Sequence, residues 1–182
     1  MLYSTIVTSD EELWQIHKLN QQNLKANLSI SQQQEHGFVS WLYSYELLKQ
    51  LHVIAPSIIV KEDDKVVGYA LVTPIRAGEF HPDLQAMINK LQTIEYKNKP
   101  LSSWQYYIMG QVCISIDHRG KGLVAMLFKK HTELYKEKYD LLVTEISTSN
   151  LRSQKAHENV GFKTIDTYKD ALDTWNVVVW EW

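Results

Sequence analysis

The chain has 182 residues, of which 45% are hydrophobic and 22% charged, with a formal net charge of −2. That length suits one domain, residues 1–182, with a full core. The dispersed, nearly balanced charge gives no sign of a surface for nucleic acid or an anionic membrane. The lone cysteine, Cys113, excludes an internal disulfide and fits a reducing compartment. Met1 to Thr5 has no basic segment leading into an apolar run, and no stretch approaches membrane-spanning length, so a cytoplasmic domain is expected.

Tyr3 to Val7 alternates as a strand would. Ser9 and Glu12 form a capping box, which starts a helix with Leu13, Ile16 and Leu19 on its buried face. Gln21 to Glu35 is polar and rich in Gln and Asn, and its periodicity leaves helix and loop open. Trp41 to His52 reads as a second helix with Leu47, Leu48 and Leu51 as its apolar side, closed by Pro56. Ser57 to Lys61 and Val66 to Thr73, flanking the polar turn Glu62-Asp63-Asp64-Lys65, make a hairpin. Between Pro74 and Pro100 lies a long connection with one helix, Pro82 to Ile94; such a segment is either a structural insertion or functional.

Trp104 to Ile116 is a long strand interrupted at Gly110, where a bulge or a close approach is expected. A helix follows from Gly122 to about Tyr139, with Leu123, Leu127, Leu134 and Tyr135 at helical spacing. Leu141 to Ser147 reads as a strand covered on both faces. Asn150 caps a helix, Leu151 to Val160, that Gly161 closes. Phe162 to Tyr168 and Trp175 to Glu181 are the final strands, and Trp175, Trp180 and Trp182 read as core or homodimer contacts. The order β-α-α-β-β-(insert)-β-α-β-α-β-β predicts an α/β fold: a twisted mixed sheet of about six or seven strands, helices on both faces, and a right-handed parallel crossover.

The stretch Val112-Cys113-Ile114-Ser115-Ile116-Asp117-His118-Arg119-Gly120-Lys121-Gly122-Leu123 runs from a strand through a basic glycine turn into a helix. Such a junction leaves several N–H groups unpaired at the positive end of a helix dipole, which suits a phosphate or pyrophosphate. Gly120 and Gly122 let the backbone approach the oxygens, and Arg119 and Lys121 add charge. His118 reads as surface charge beside them.

Two motifs in this frame resemble the GNAT superfamily of N-acetyltransferases. Arg119-Gly120-Lys121-Gly122-Leu123-Val124 is similar to the family's pyrophosphate turn, with valine at a position that is usually glycine or alanine. Asn150-Leu151-Arg152-Ser153, followed by His157 and Gly161-Phe162, is similar to the family's second motif, with His157 where an acid tyrosine is frequent. The resemblance covers the whole topology and is specific from about Gly110 to Phe162. It implies an acetyl-CoA site where two parallel strands splay. Val112, Cys113 and Ile114 would offer a backbone edge to pantetheine, the turn from Arg119 to Val124 would hold the diphosphate, and Asn150 and Ser153 would sit beside the cofactor on the second strand's exit.

Acetyl transfer to an amine needs a neutral amine, a stabilised oxyanion and a leaving thiolate. Glu145, a carboxylate in an otherwise apolar strand, is the candidate base, with a structural hydrogen bond as its other reading. His157 is the candidate acid, or a packing residue beside the cofactor. Backbone N–H near Gly110 is the candidate oxyanion donor. Cys113 reads as a small buried residue rather than a nucleophile. The resemblance places Phe38 and Trp41, which follow the polar first-helix region, near an acceptor pocket, and the histidines show no metal-ligand spacing. The expected activity is acetyl-CoA-dependent N-acetyl transfer to a primary amine: a small amine, an amino acid or a protein N-terminus. A non-catalytic acyl-CoA-binding regulatory module of the same fold is the alternative. A flavodoxin-like phosphate-binding protein would own the glycine turn but not the early antiparallel hairpin.

Overall fold

The computed structural model describes residues Met1 to Trp182. The elements run β1 (Leu2–Ile6), α1 (Asp10–Gln22), a 3-10 turn at Lys25–Asn27, α2 (Ile30–His36), α3 (Tyr45–Ile54), β2 (Ile58–Glu62) and β3 (Lys65–Thr73). A 3-10 segment at Ile75–Phe80, α4 (Pro82–Leu91) and a small hairpin of β4 (Glu95–Tyr96) and β5 (Lys99–Pro100) follow. The chain closes with β6 (Tyr106–Ile114), α5 (Leu123–Tyr135), β7 (Leu141–Ser147), α6 (Leu151–Val160), β8 (Lys163–Lys169) and β9 (Thr174–Glu181). Seven strands form one sheet in the order β1-β2-β3-β6-β7-β9-β8, antiparallel everywhere except β6 against β7. The mixed sheet and its parallel crossover are as the element order predicts.

Side-chain alternation along the strands separates two faces. Tyr107, Leu142 and Val178 join the core under α5, with Leu123, Leu127 and Phe128. Tyr69, Leu71 and Cys113 face α1 and α3. Ile108, Val143 and Val177 face α4 and the β4–β5 hairpin, together with Ile88, Leu91 and Tyr96. The long connection between Pro74 and Pro100 thus covers the second half of a sheet face that α1 and α3 do not reach.

Several boundaries differ from expectation, each for a local reason. The Ser9 hydroxyl accepts from the Glu12 N–H at 3.3 Å, but the Glu12 carboxylate does not close the capping box. It accepts instead from the Thr8 N–H at 2.7 Å and pairs with Lys61 at 2.8 Å. A complete capping box occurs at Ser29 and Gln32, within the segment whose periodicity was undecided. The second helix starts at Tyr45 rather than Trp41 because the Ser44 hydroxyl caps the Leu47 N–H at 3.1 Å, leaving Trp41 to Tyr43 irregular. Helix α5 ends at Tyr135, not Tyr139, in a turn where the N–H groups of Lys138 and Tyr139 both bond the Tyr135 carbonyl.

Two features of the sheet position the site. Strands β6 and β7 pair through Tyr106–Leu141, Tyr107–Leu142 and Ile108–Val143, and there the register stops. The next link is a side chain, with Thr144 Oγ1 donating to the Met109 carbonyl at 2.8 Å. Opposite this point β6 carries a bulge against β3, its partners stepping from Val72–Met109 to Ala70–Val112. The partly buried Glu12–Lys61 pair on the α1 flank predicts that Glu12→Ala lowers unfolding stability by about 1–3 kcal/mol in urea titrations, since it leaves Lys61 and the Thr8 N–H without their partner.

Candidate active site

Beyond Ile108 the free edge of β6 opens into a cavity of about 480 Å³ that includes Val112, Ile114, Gly120, Gly122 and Val124. Gly120 and Gly122 adopt φ of +74° and +78°, which turn the chain left-handed on either side of Lys121. A Cβ at either glycine would meet nothing within 4 Å, so open space lies against the turn. The N–H groups from Gly120 to Ala125 have no acceptor in the protein; the first paired one is that of Met126, on the Gly122 carbonyl. Six adjacent unpaired donors at a helix start are an arrangement that suits an anion. The partly buried Val124 side chain packs against the core under α5 and also lines the cavity. Lys121 is exposed, and Cys113 is buried with its thiol pushed up to about 12 by desolvation, which leaves it protonated.

Arg119 departs from its expected role. Its guanidinium donates to the Ile114 carbonyl at 3.0 Å, the His36 carbonyl at 2.6 Å and Asn23 Oδ1 at 2.6 Å. All three partners are protein groups, so Arg119 is a strut tying the turn to α1 and α2 rather than a free charge over those donors. His118 is likewise buried, not surface charge: Nδ1 bonds Ser115 at 2.7 Å and Nε2 bonds Glu62 at 3.1 Å.

On the opposite wall, Asn150 caps α6 by accepting from the Ser153 N–H at 3.2 Å and donates to the Phe38 carbonyl at 2.7 Å. Both ends of its amide are occupied, so in this structure it holds the loop at Phe38. Gly37 (φ +71°) packs so closely that a Cβ there would lie 2.9 Å from Asn150 Oδ1. His157 Nδ1 lies 2.7 Å from the Ser153 carbonyl, which only accepts, so Nδ1 carries the proton and Nε2 presents a lone pair. Burial, opposed by that carbonyl, lowers the ring to about 4, and Nε2 is buried without a partner. A neutral ring with its proton already committed is the reverse of the expected acid.

A second cavity, about 530 Å³, adjoins the first and shares Phe38, Val39, Val112, Asn150, Ser153 and His157 with it. Phe38 and Trp41 both line it, and Trp41 meets Tyr43 edge to face at 4.5 Å. Glu145 lies in its wall, accepting from the Tyr168 hydroxyl at 2.7 Å. Desolvation raises its carboxyl to about 7 against the opposing effect of that bond, with the Asp170 charge adding to the rise. Lys25 pairs with Asp173 at 3.0 Å and sits 4.8 Å above the Phe38 ring.

Tyr43, Gln111 and Tyr168 were not singled out from the sequence. Gln111, displayed by the bulge, donates to the Trp41 carbonyl at 2.8 Å and accepts from Tyr69 at 2.5 Å. Only the glycine beside it in sequence hinted at that position. The aromatic run Trp41-Leu42-Tyr43-Ser44-Tyr45 was the available signal for Tyr43, but reading it as helix concealed it.

A sequence model described as the acetyltransferase (GNAT) family matches residues 13–162, and the chain belongs to that family. No curated protein matches the sequence. Among solved structures, the ribosomal-protein-S18-alanine N-acetyltransferase of Escherichia coli superposes with a TM-score of 0.65 at 10% identity, covering 100% of this chain and 94% of that one. Arabidopsis thaliana Naa50, in complex with a bisubstrate analogue, superposes at 0.63 with 15% identity, covering 100% and 99%. The Salmonella typhimurium putative acetyltransferase yncA with acetyl-CoA gives 0.62 at 12% identity, covering 99% and 93%. These likenesses establish the same fold.

The three-way grip of Arg119 needs a planar fork that lysine lacks. Arg119→Lys is therefore expected to lower stability by about 1–3 kcal/mol in urea titrations, with Asn23 and the His36 carbonyl left unpaired.

Proposed function

We propose that the protein is an acetyl-CoA-dependent N-acetyltransferase that acts on a primary amine. The observation carrying this reading is the continuity of the two cavities at the splay: an anion cradle at one end, an ionisable carboxylate in an aromatic chamber at the other, and six residues common to both walls. The N–H groups from Gly120 to Ala125 hold the donor's diphosphate, and the free β6 edge at Val112 and Ile114 pairs with its amides. The thioester then reaches the shared wall beside Gly110.

Glu145 is the base. A carboxyl raised to about 7 is substantially ionised at neutral pH yet basic enough to take a proton from the acceptor nitrogen. The amine lone pair forms the C–N bond, the C–S bond breaks, and the nitrogen's proton passes to Glu145. Sulfur leaves as thiolate, which needs no acid because an ordinary thiol ionises near about 8.5. That suits a His157 with no proton on Nε2. The walls of Phe38, Trp41, Leu84 and Met87 favour an amine attached to an apolar group, whether a small molecule or a peptide N-terminus. The raised Glu145 favours an enzyme over a non-catalytic acyl-CoA-binding module, which has no use for a desolvated carboxylate.

With acetyl-CoA and an active amine, kcat/KM of the native enzyme is expected to rise with pH through about 7 as Glu145 ionises. Glu145→Gln should lower the rate by about 10²-fold or more and remove that limb. Full retention of rate across pH would remove Glu145 as the base. The folded state favours the neutral carboxyl, so its stabilising share is complete below the ordinary carboxyl value of 4.5 and lost as pH rises through about 7. Thermal melts should accordingly show Glu145→Gln gaining on the native protein above neutrality and not in acid.

A further inference from the structure

The bulge on β6 has two hydroxyls directed at it, and neither is used by the fold. A Cβ built on Gly110 would lie 2.5 Å from Tyr43 Oη and 2.5 Å from Thr73 Oγ1, so both groups converge on this one glycine. Thr73 is fully buried and its hydroxyl has no partner. Tyr43, 2% exposed, is fixed through its backbone: its N–H donates to Asn20 Oδ1 at 2.8 Å and its carbonyl accepts from His17 at 2.8 Å. Its ring is held edge to face by Trp41. The hydroxyl itself bonds nothing in the protein and lies in the wall of the acceptor cavity.

Most neighbouring side-chain donors are already committed, the buried Trp175 indole N–H being an exception. Tyr168 donates to Glu145, Thr144 to the Met109 carbonyl and Ser147 to Asp173. His157 has its proton on the Ser153 carbonyl, and ionised Glu145 only accepts. Of the two unpaired hydroxyls at the bulge, Thr73 is fully buried and lines neither cavity, which leaves Tyr43 as the rigidly placed one in the cavity wall. Burial, reinforced by the Glu145 charge, pushes its phenol upward, so it remains O–H at working pH. A phenol that holds its proton so firmly is suited to donate a hydrogen bond rather than to transfer a proton.

Resting on the acetyl-transfer reading above, we propose that Tyr43 Oη donates a hydrogen bond to the carbonyl oxygen of the bound thioester, and that this bond strengthens as the oxygen becomes an oxyanion. No proton moves in this step. The ring fixes the donor before substrate arrives, which is the condition under which such a bond acts on the transition state.

Tyr43→Phe removes the hydroxyl and leaves the ring. Infrared spectra of acetyl-CoA isotopically labelled at the acetyl carbonyl and bound to each protein read the bond without any acceptor amine. The carbonyl stretch is expected at lower frequency on the native protein than on Tyr43→Phe, and kcat with an active amine is expected to fall by about 10²-fold with little change in acetyl-CoA affinity. Equal frequencies, or a kcat within twofold of native, would overturn the proposal while leaving acetyl transfer standing. Native protein that binds no acetyl-CoA would overturn both. A Tyr43→Phe protein that binds acetyl-CoA as tightly as native shows that any rate loss is not a folding defect.

Discussion

The site depends on a pairing that stops. Parallel strands β6 and β7 share only three residue pairs before they part at Ile108 and Val143. A sheet continued through Gly110 to Ile114 would have satisfied that edge and closed both cavities. Thr144 bridges the first gap through its hydroxyl, and the bulge bends β6 away at the same level. Past that point β6 retains one partner, β3, and presents an unpaired edge to whatever lies in the opening. The turn at Gly120 and Gly122 then delivers a helix start at the far end of that edge, so a long, polar-headed donor would meet backbone groups along its length.

The segment that runs from the end of α2 at His36 to Tyr43 is the second determinant, and its one regular backbone link is the bridge of Val39 to Leu24. Polar side chains hold the rest from four directions. Arg119 takes the His36 carbonyl, Asn150 takes the Phe38 carbonyl, and Gln111 and Asn20 both take the Trp41 carbonyl. Two of these four residues belong to the cradle motifs. The same side chains therefore shape the cavity at the glycine turn and fasten the aromatic wall of the cavity beside it. Irregular backbone buried in this way requires such partners, because each unpaired carbonyl would carry a desolvation penalty of about 1–3 kcal/mol.

Much of this was legible in the sequence because it is periodic or tied to φ. The strand–turn–helix at Gly120 and Gly122, the Asn150 cap and the Gly161 stop are local, and local chemistry fixes them. The hairpin of β2 and β3 and the apolar strand β7 read directly from pattern. What escaped depended on distant partners. Arg119 reads as free charge until its partners at residues 23 and 36 are folded against it, and His118 reads as exposed until Glu62 lies beside it. The direction of proton donation at His157 is decided by a carbonyl four residues away. Tyr43 was hidden because an aromatic run suits a helix as well as an irregular wall, and only Ser44 as the cap settles where the helix starts.

Donor binding at the splay is the claim on which the rest of the account stands, and isothermal titration calorimetry with acetyl-CoA tests it most directly. One-to-one binding that saturates at micromolar coenzyme is expected, weakened when Gly122, whose φ is +78° and whose face is open, is replaced by valine. A titration of the native protein that shows no binding at those concentrations would contradict it.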